Sequence, residues 1–305
     1  MGLVQLTPVQ PLLPRRPPWL KVRVPGGENY TELKRIMSAQ RLHTVCESAR
    51  CPNVAECWGH RTATFMILGN LCTRACGFCA VPHGKPLGLD TDEPERVAEA
   101  AQAMGLKYAV VTSVNRDDLP DGGAQIFADT IAALRRRIAG VKVEVLIPDF
   151  RGDWSALQTV VEAAPDVLNH NIETVPRLYR RVRMGAVYER SLELFRRASV
   201  MTRNFASLLP TKSGLMVGLG ETREEILEVL SALRSAGVDI LTVGQYLQPT
   251  RQHLPLARFY HPDEFADIKR EALALGFKHA ECGPLVRSSY PAHEQESAAA
   301  ISLRS

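Results

Sequence analysis

The chain has 305 residues, 45% hydrophobic and 23% charged, with a formal net charge of +4. That composition belongs to a globular protein with a sizeable core, and so mild a charge gives no argument for nucleic-acid binding. No uninterrupted apolar run approaches the roughly 18 residues of a membrane helix, and the N-terminus, with Arg15 and Arg16 but no compact apolar segment, does not read as secretory.

Residues 1–37 read as a proline-rich arm lying across the domain. From Thr62 an alternation sets in. "TATFMILG" predicts a buried strand, a cysteine-rich loop follows, and "PERVAEAAQAMG" predicts a helix ending at Gly105. "KYAVVTSV", "VKVEVLI" and "PDVLNHNIET" predict the next three strands, each followed by an amphipathic segment. "LLPTKSGLMVGLG" predicts a fifth strand, and its helix opens at a capping box of Thr222 and Glu225. "VDILTVGQYL" and "PDEFADIKREALALG" complete a sixth strand–helix unit. Six such units imply a parallel sheet with helices outside, which right-handed crossovers curl toward a partial (β/α)6 TIM-like barrel. A doubly wound open sheet is the alternative. The division expected is 1–61 as an N-terminal extension, 62–275 as the barrel and 276–305 as a C-terminal arm.

Six of the seven cysteines lie between Cys46 and Cys79. Clustered thiols in a long, non-secreted chain bind metal more readily than they form disulfides. Cys72, Cys76 and Cys79 have the spacing C-x3-C-x2-C, and no fourth cysteine or histidine follows closely enough to close a tetrahedral site. Structural zinc takes four ligands, usually as C-x2-C pairs, whereas a 4Fe–4S cube held by three thiolates keeps one iron open for a small chelating molecule. Upstream, Cys46, Cys51 and Cys57 form a second triad, read as another cluster, a zinc site or inert thiols. Cys282 is the natural thiolate to complete it, or simply a packed small hydrophobe. His43, His60 and His83 lie near the thiols and read as hydrogen-bonded loop residues.

Barrel chemistry gathers at the C-terminal ends of strands. The cysteine loop follows the first strand, and Asn115, Glu173 and Gly218 fall at or just past strand ends. Thr112, Asn115, Asp117 and Glu173 offer polar groups there, and Gly218 lies in a glycine-containing turn; each reads equally as a cap or turn residue.

The C-x3-C-x2-C loop after the first strand of a β/α series, with Phe78 before the third thiol, resembles the radical S-adenosylmethionine superfamily. "ARCPNVAECW", "CTRACGFC" and the C-terminal "RSSY", in that order, are similar to the lipoyl synthase family over roughly Trp19 to Tyr290. The resemblance implies two 4Fe–4S clusters. One is held by Cys72, Cys76 and Cys79 with S-adenosylmethionine on the open iron. The other is an auxiliary cluster held by Cys46, Cys51, Cys57 and Ser289, with Ser288 as neighbour; Cys282 is then packing. It implies sulfur insertion at C6 and C8 of an octanoyl chain on a lysine of a lipoyl carrier domain, the auxiliary cluster giving the sulfur. Thr112, Asn115, Asp117, Glu173, Gly218 and Phe78 are the expected cofactor contacts. Implied partners are octanoylated 2-oxoacid dehydrogenase E2 subunits, the glycine cleavage H protein, and a ferredoxin or flavodoxin as electron donor, in the cytoplasm or an organelle.

Serine oxygen is a hard ligand beside thiolates, so that corner should release iron most easily. A modest basic cleft around "YRRVRM", with Arg180 and Arg183, suits an acidic carrier domain. The competing readings are a methylthiotransferase, which would be expected to carry an extra nucleic-acid-binding module, and an iron–sulfur carrier or zinc scaffold, which would not cleave S-adenosylmethionine.

Overall fold

The computed structural model of the protein describes residues 15–22, 24–59, 64–202 and 209–289. His60, within the loop ahead of the first barrel strand, and Tyr290 of "RSSY" lie outside the described residues. Among the described residues eight strands form one sheet in the order β1 to β8, so chain order and sheet order coincide.

β2 (Thr64–Ile67) is buried at every position, as a strand covered on both faces must be. The parallel series continues through β3 (Tyr108–Ser113), β4 (Lys142–Leu146), β5 (Val167–Asn169), β6 (Thr211–Val217) and β7 (Ile240–Gln245). α4 (Glu93–Ala103), α5 (Ala124–Arg137), α6 (Trp154–Glu162), α8 (Tyr188–Met201), α9 (Arg223–Ser235) and α10 (Pro262–Ala274) follow them in turn. A one-turn helix α7 (Tyr179–Val182) precedes α8. These are the six units expected, and the capping box at α9 forms between Thr222 and Glu225.

Two strands lie outside that series. β1 (His43–Thr44) pairs antiparallel with β2, which ties the N-terminal extension to the barrel edge. β8 (His279–Gly283) pairs in parallel with β7, so the segment read as the start of a C-terminal arm adds a seventh parallel strand. Its sequence concealed this because Glu281 turns outward to the Lys269 ammonium of α10, breaking the apolar run. No described helix is long and apolar enough to cross a membrane.

The extension carries α1 (Glu28–Ala39), α2 (Val45–Ser48) and α3 (Val54–Gly59). Trp58 is fully buried beneath α1, its ring centroid 4.9 Å from that of Tyr30. Burial of a side chain of that size contributes about 3 kcal/mol, which anchors the segment bearing the upstream thiols.

Candidate functional site

The "CTRACGFC" loop leaves β2 and is held by backbone pairing rather than by regular structure. Cys72 N–H donates to Pro82 O and Gly84 N–H to Cys72 O, an isolated parallel bridge that fixes His83 beside Cys72. Thr73 donates from backbone and hydroxyl to Asn115 O, coupling the loop to the end of β3. Arg74, between the first two thiols, donates to Asp117 through Nε and Nη2, each at 2.7 Å, and to Asp149 at 2.6 Å. Burial alone would raise the Asp149 carboxyl, but the Arg74 guanidinium outweighs it and holds the pKa down at about 2. Gly77 is required by close approach: a Cβ there would stand 2.8 Å from the Leu254 side chain and 3.0 Å from Arg181 O.

Cys72 Sγ accepts from the backbone N–H groups of Arg74 at 3.4 Å and Asn115 at 3.3 Å. The other thiols of the loop are pushed up by burial, Cys76 to about 12 and Cys79 to about 11. In the upstream triad burial likewise pushes Cys46 to about 11 and Cys57 to about 12, neighbouring thiols adding to the effect. Binding metal therefore has to displace protons.

The upstream triad meets the far end of the chain. Asn53, buried within "CPNVAEC", donates to Leu285 O at 2.7 Å across 232 residues. Beyond Leu285 the C-terminal segment crosses the end of β7, where a Cβ on Gly244 would stand 2.1 Å from Val286 O. The crossing brings Arg287, Ser288 and Ser289 to the strand ends.

There a cavity of about 580 Å3 opens, lined by Cys51 from the upstream triad, by Cys72, Cys76 and Cys79, and by both serines. That volume suits a medium-sized ligand. Among the described residues no three of His, Cys, Asp and Glu converge tightly enough for a single ion. The thiols instead stand around open space, an arrangement for a group larger than one atom.

Phe78, Thr112, Asn115 and Glu173 line this cavity, together with His83. Glu173 sits at φ 68°, a left-handed conformation that costs a residue with a side chain and recurs at functional sites. Its backbone is locked by pairing to Gly214 O and Met216 N, and Asn171 Nδ2 donates to its carboxylate at 3.0 Å. Burial raises its pKa against the pull of Arg183, Asn171 and Arg287.

Asp117 and Gly218 do not line the cavity. Asp117 is occupied by Arg74 and borders a separate small cleft. Gly218 donates its N–H to Glu221 at 2.6 Å, and a Cβ there would stand 2.7 Å from Arg258 O, so its glycine serves packing. Cys282 lies on β8 beside Glu281 and Lys269, away from the cavity. Arg183, expected on a surface cleft, turns inward and lines the cavity, whereas Arg180 and Arg181 are exposed. Sequence reasoning missed Arg74, Asn53 and Gly244. Only Arg74 had a local signal, a cation inside the thiol motif.

The model of the Radical SAM superfamily matches residues 66–244, and that of the N-terminal domain of lipoyl synthase matches residues 7–51. The lipoyl synthase of Rubrobacter xylanophilus is 61% identical over 280 residues, covering 92% of this chain and 86% of that one. The lipoyl synthase of Chloroflexus aggregans is 57% identical over 293 residues, covering 96% and 94%. The chain belongs to the lipoyl synthase family. Lipoyl synthases are radical S-adenosylmethionine enzymes that insert sulfur and use 4Fe–4S clusters, and their substrates are carried on lipoyl carrier proteins.

Solved structures agree at the level of fold. The FeFe-hydrogenase maturase HydG from Carboxydothermus hydrogenoformans superposes with a TM-score of 0.53 at 15% identity, covering 88% of this chain and 78% of that one. Methylornithine synthase gives 0.51 at 15%, covering 84% and 79%. The site fits the family's cofactors on its own chemistry. The three thiols of the loop and Cys51 of the upstream triad border one cavity, with Cys46 and Cys57 set back from its wall, and Asn171 Oδ1, Ser113 Oγ and Gln248 Oε1 on that wall are buried without a hydrogen-bond partner.

Proposed function

We propose that Cys72, Cys76 and Cys79 hold the S-adenosylmethionine-binding 4Fe–4S cluster, and that Cys46, Cys51, Cys57 and Ser289 hold an auxiliary cluster. The observation that carries this reading is the single cavity bordered by both thiol segments and by the two serines of "RSSY". Held by these residues, the two clusters and S-adenosylmethionine would supply the radical chemistry and the sulfur for insertion at C6 and C8 of an octanoyl chain.

The chain's own residues hold, orient and exclude. Arg74, clamped by Asp117 and Asp149, fixes the loop between Cys72 and Cys76. Phe78, Thr112, Asn115 and Glu173 offer the cofactor a ring face and polar groups along one wall. Val45, Met66, Val81 and Leu146 give the cavity apolar stretches that keep water from a reactive carbon. The functional division follows: 1–61 brings the auxiliary thiols, 62–275 the loop and cofactor wall, and 276–305 the serine, with residues 279–283 also completing the sheet.

The carriers are octanoylated domains of 2-oxoacid dehydrogenase E2 subunits and the glycine cleavage H protein, with a ferredoxin or flavodoxin as donor, in the cytoplasm. The test is iron and acid-labile sulfide on protein prepared without oxygen. About eight irons per chain, two 4Fe–4S cubes, are expected, falling to about four when Cys46, Cys51 and Cys57 are all replaced by Ala. Four irons in the unaltered chain would remove the sulfur donor. Ser289→Cys should keep both clusters and slow sulfur transfer; unchanged transfer would pass the ligand role to Ser288.

A further inference from the structure

β7 ends at Gln245, and the segment that leaves it serves two places. Tyr246, Leu247, Gln248 and Pro249 wall the cavity, and residues 250–254 then fold back against the "CTRACGFC" loop. The fold-back is written locally. His253 N–H donates to Thr250 O at 3.1 Å, closing a four-residue turn. Thr250 Oγ1 accepts from Gln252 N–H at 3.2 Å, a bond that threonine hydroxyls readily form at the start of a turn. Tyr246 OH donates to Leu254 O at 2.8 Å and Gln248 Nε2 to His253 O at 2.9 Å, so the segment is braced on itself.

Two groups of this segment reach the cluster loop. Leu254 N–H donates to Gly77 O at 3.0 Å, and His253 Nε2 lies 3.0 Å from Cys79 O. The protons follow from donor and acceptor capacity. A carbonyl only accepts, so Nε2 carries the hydrogen. His253 Nδ1 lies 2.8 Å from Thr250 Oγ1, and in the neutral ring it accepts from that hydroxyl. Donation thus runs from Gln252 N–H through Thr250 and His253 to Cys79. The Cys79 N–H is taken up inside the loop by Cys76 O at 3.1 Å. Its carbonyl is therefore the backbone group of that residue that is tied outward.

We infer that His253 is a positioning residue, which holds Cys79 in register with the cavity wall formed by residues 246–249. The inference rests on Cys72, Cys76 and Cys79 holding the cluster that binds S-adenosylmethionine. Each thiol of the loop then has its own tether. Cys72 has the bridge to residues 82–84, and Cys76 lies between the Arg74 clamp and Gly77 N–H, which donates to Val182 O at 3.0 Å. Cys79 has His253. A cube on three thiolates takes its orientation from all three, so a loose third corner would turn the open iron away from its ligand. Partners that orient a metal ligand from behind commonly set the affinity of the whole site.

The test uses the full chain, reconstituted without oxygen. It reads iron content, S-adenosylmethionine affinity by equilibrium dialysis, and the change in the electron paramagnetic resonance of the reduced protein on adding S-adenosylmethionine. His253→Ala should keep about eight irons. It should weaken binding about fivefold, the scale of one hydrogen bond, and shrink the spectral change. His253→Gln, whose amide nitrogen reaches about as far as Nε2, should restore both. His253→Asn, one methylene shorter, should behave as His253→Ala. Thr250→Val keeps the ring and removes the hydroxyl behind it, and should weaken binding about twofold. Unchanged affinity and spectrum in His253→Ala overturn the inference. An equal loss in the Gln and Asn variants also overturns it, since the donor would then not matter. Iron loss shared by all three His253 variants assigns the residue to the fold alone. Should His253→Ala fail to fold, unchanged affinity in Thr250→Val overturns the inference. Retention of the spectral change in Cys79→Ala would be a different failure, that of the cluster assignment itself.

Discussion

Arg74 occupies the middle of the three-residue gap between Cys72 and Cys76, and its side chain is 5% exposed. Its partner Asp149 is fully buried and also accepts from Arg190 at 3.2 Å. Removing one partner of such a network leaves the others buried and unsatisfied. The pKa of about 2, against an ordinary 3.8, means folding favours the carboxylate. Asp149→Asn should therefore destabilise the metal-free protein by about 2 kcal/mol. A carboxyl lowered on folding contributes stability above its unfolded pKa and loses it only as pH falls toward the folded one. The deficit should thus be flat from pH 7 to about pH 5. Urea midpoints at those two values check it; a deficit that shrinks between them would mean the clamp does not set the shift. Arg74→Gln should lower iron retained on gel filtration by about half, the share of one cluster of two, because the cluster loop loses its tether. The thiols were legible as spacing, whereas the partners of Arg74 were not, since Asp149 lies 75 residues away.

β7 and β8 act as the sill over which the C-terminal segment reaches the cavity. β7 is buried at all six positions, and Gly244 within it lies against Val286 O, so no side chain fits between them. The obstacle is backbone rather than a flexible side chain, so the crossing segment would have to lift. Gly244→Ala should displace Ser288 and Ser289 while leaving the "CTRACGFC" loop on the far side of the cavity intact. About four of eight irons should then be retained, with S-adenosylmethionine still bound. Loss of all iron would instead mean that the sheet itself had shifted. The helices and their caps were readable because a capping box or an apolar stripe is a local pattern. β8 was not, because its exposed positions are chosen by α10, an element that packs on it only in the fold.

Viewed as a whole molecule, the cavity is cationic. Arg16, Arg50, Arg74, Arg183 and Arg287 border it, against Glu173 as the acidic residue on its wall. Elsewhere the surface arginines are mostly paired, among them Arg135, Arg136, Arg137, Arg177, Arg223 and Arg258. Arg16 and Arg50 are exposed and, among the described residues, make no ion pair. Unpaired rim charges steer association more than they tighten it. Reversal of both to Glu should raise KM for an octanoylated carrier protein several-fold at low salt, with little effect on a short octanoylated peptide. Steady-state kinetics at two ionic strengths check this; equal losses on both substrates would place the effect inside the cavity. The expected docking role of "YRRVRM" narrows to Arg180 and Arg181, because Arg183 is spent within.

The sequence by itself determined the chemistry and the frame: two thiol triads, a strand-end location for one of them, and six β/α units. Those features are local, written in spacings of a few residues and in periods of burial. The tertiary structure alone decided which groups share a cavity. It joined Asn53 to Leu285, turned Arg183 inward through Tyr179 and Ser191, bound Asp117 to Arg74 and assigned Gly218 to packing. Each of these is a choice of side-chain direction or of long-range contact. No local pattern carries it, because its stability comes from burial that exists only once the sheet and the segments that cross its strand ends have assembled.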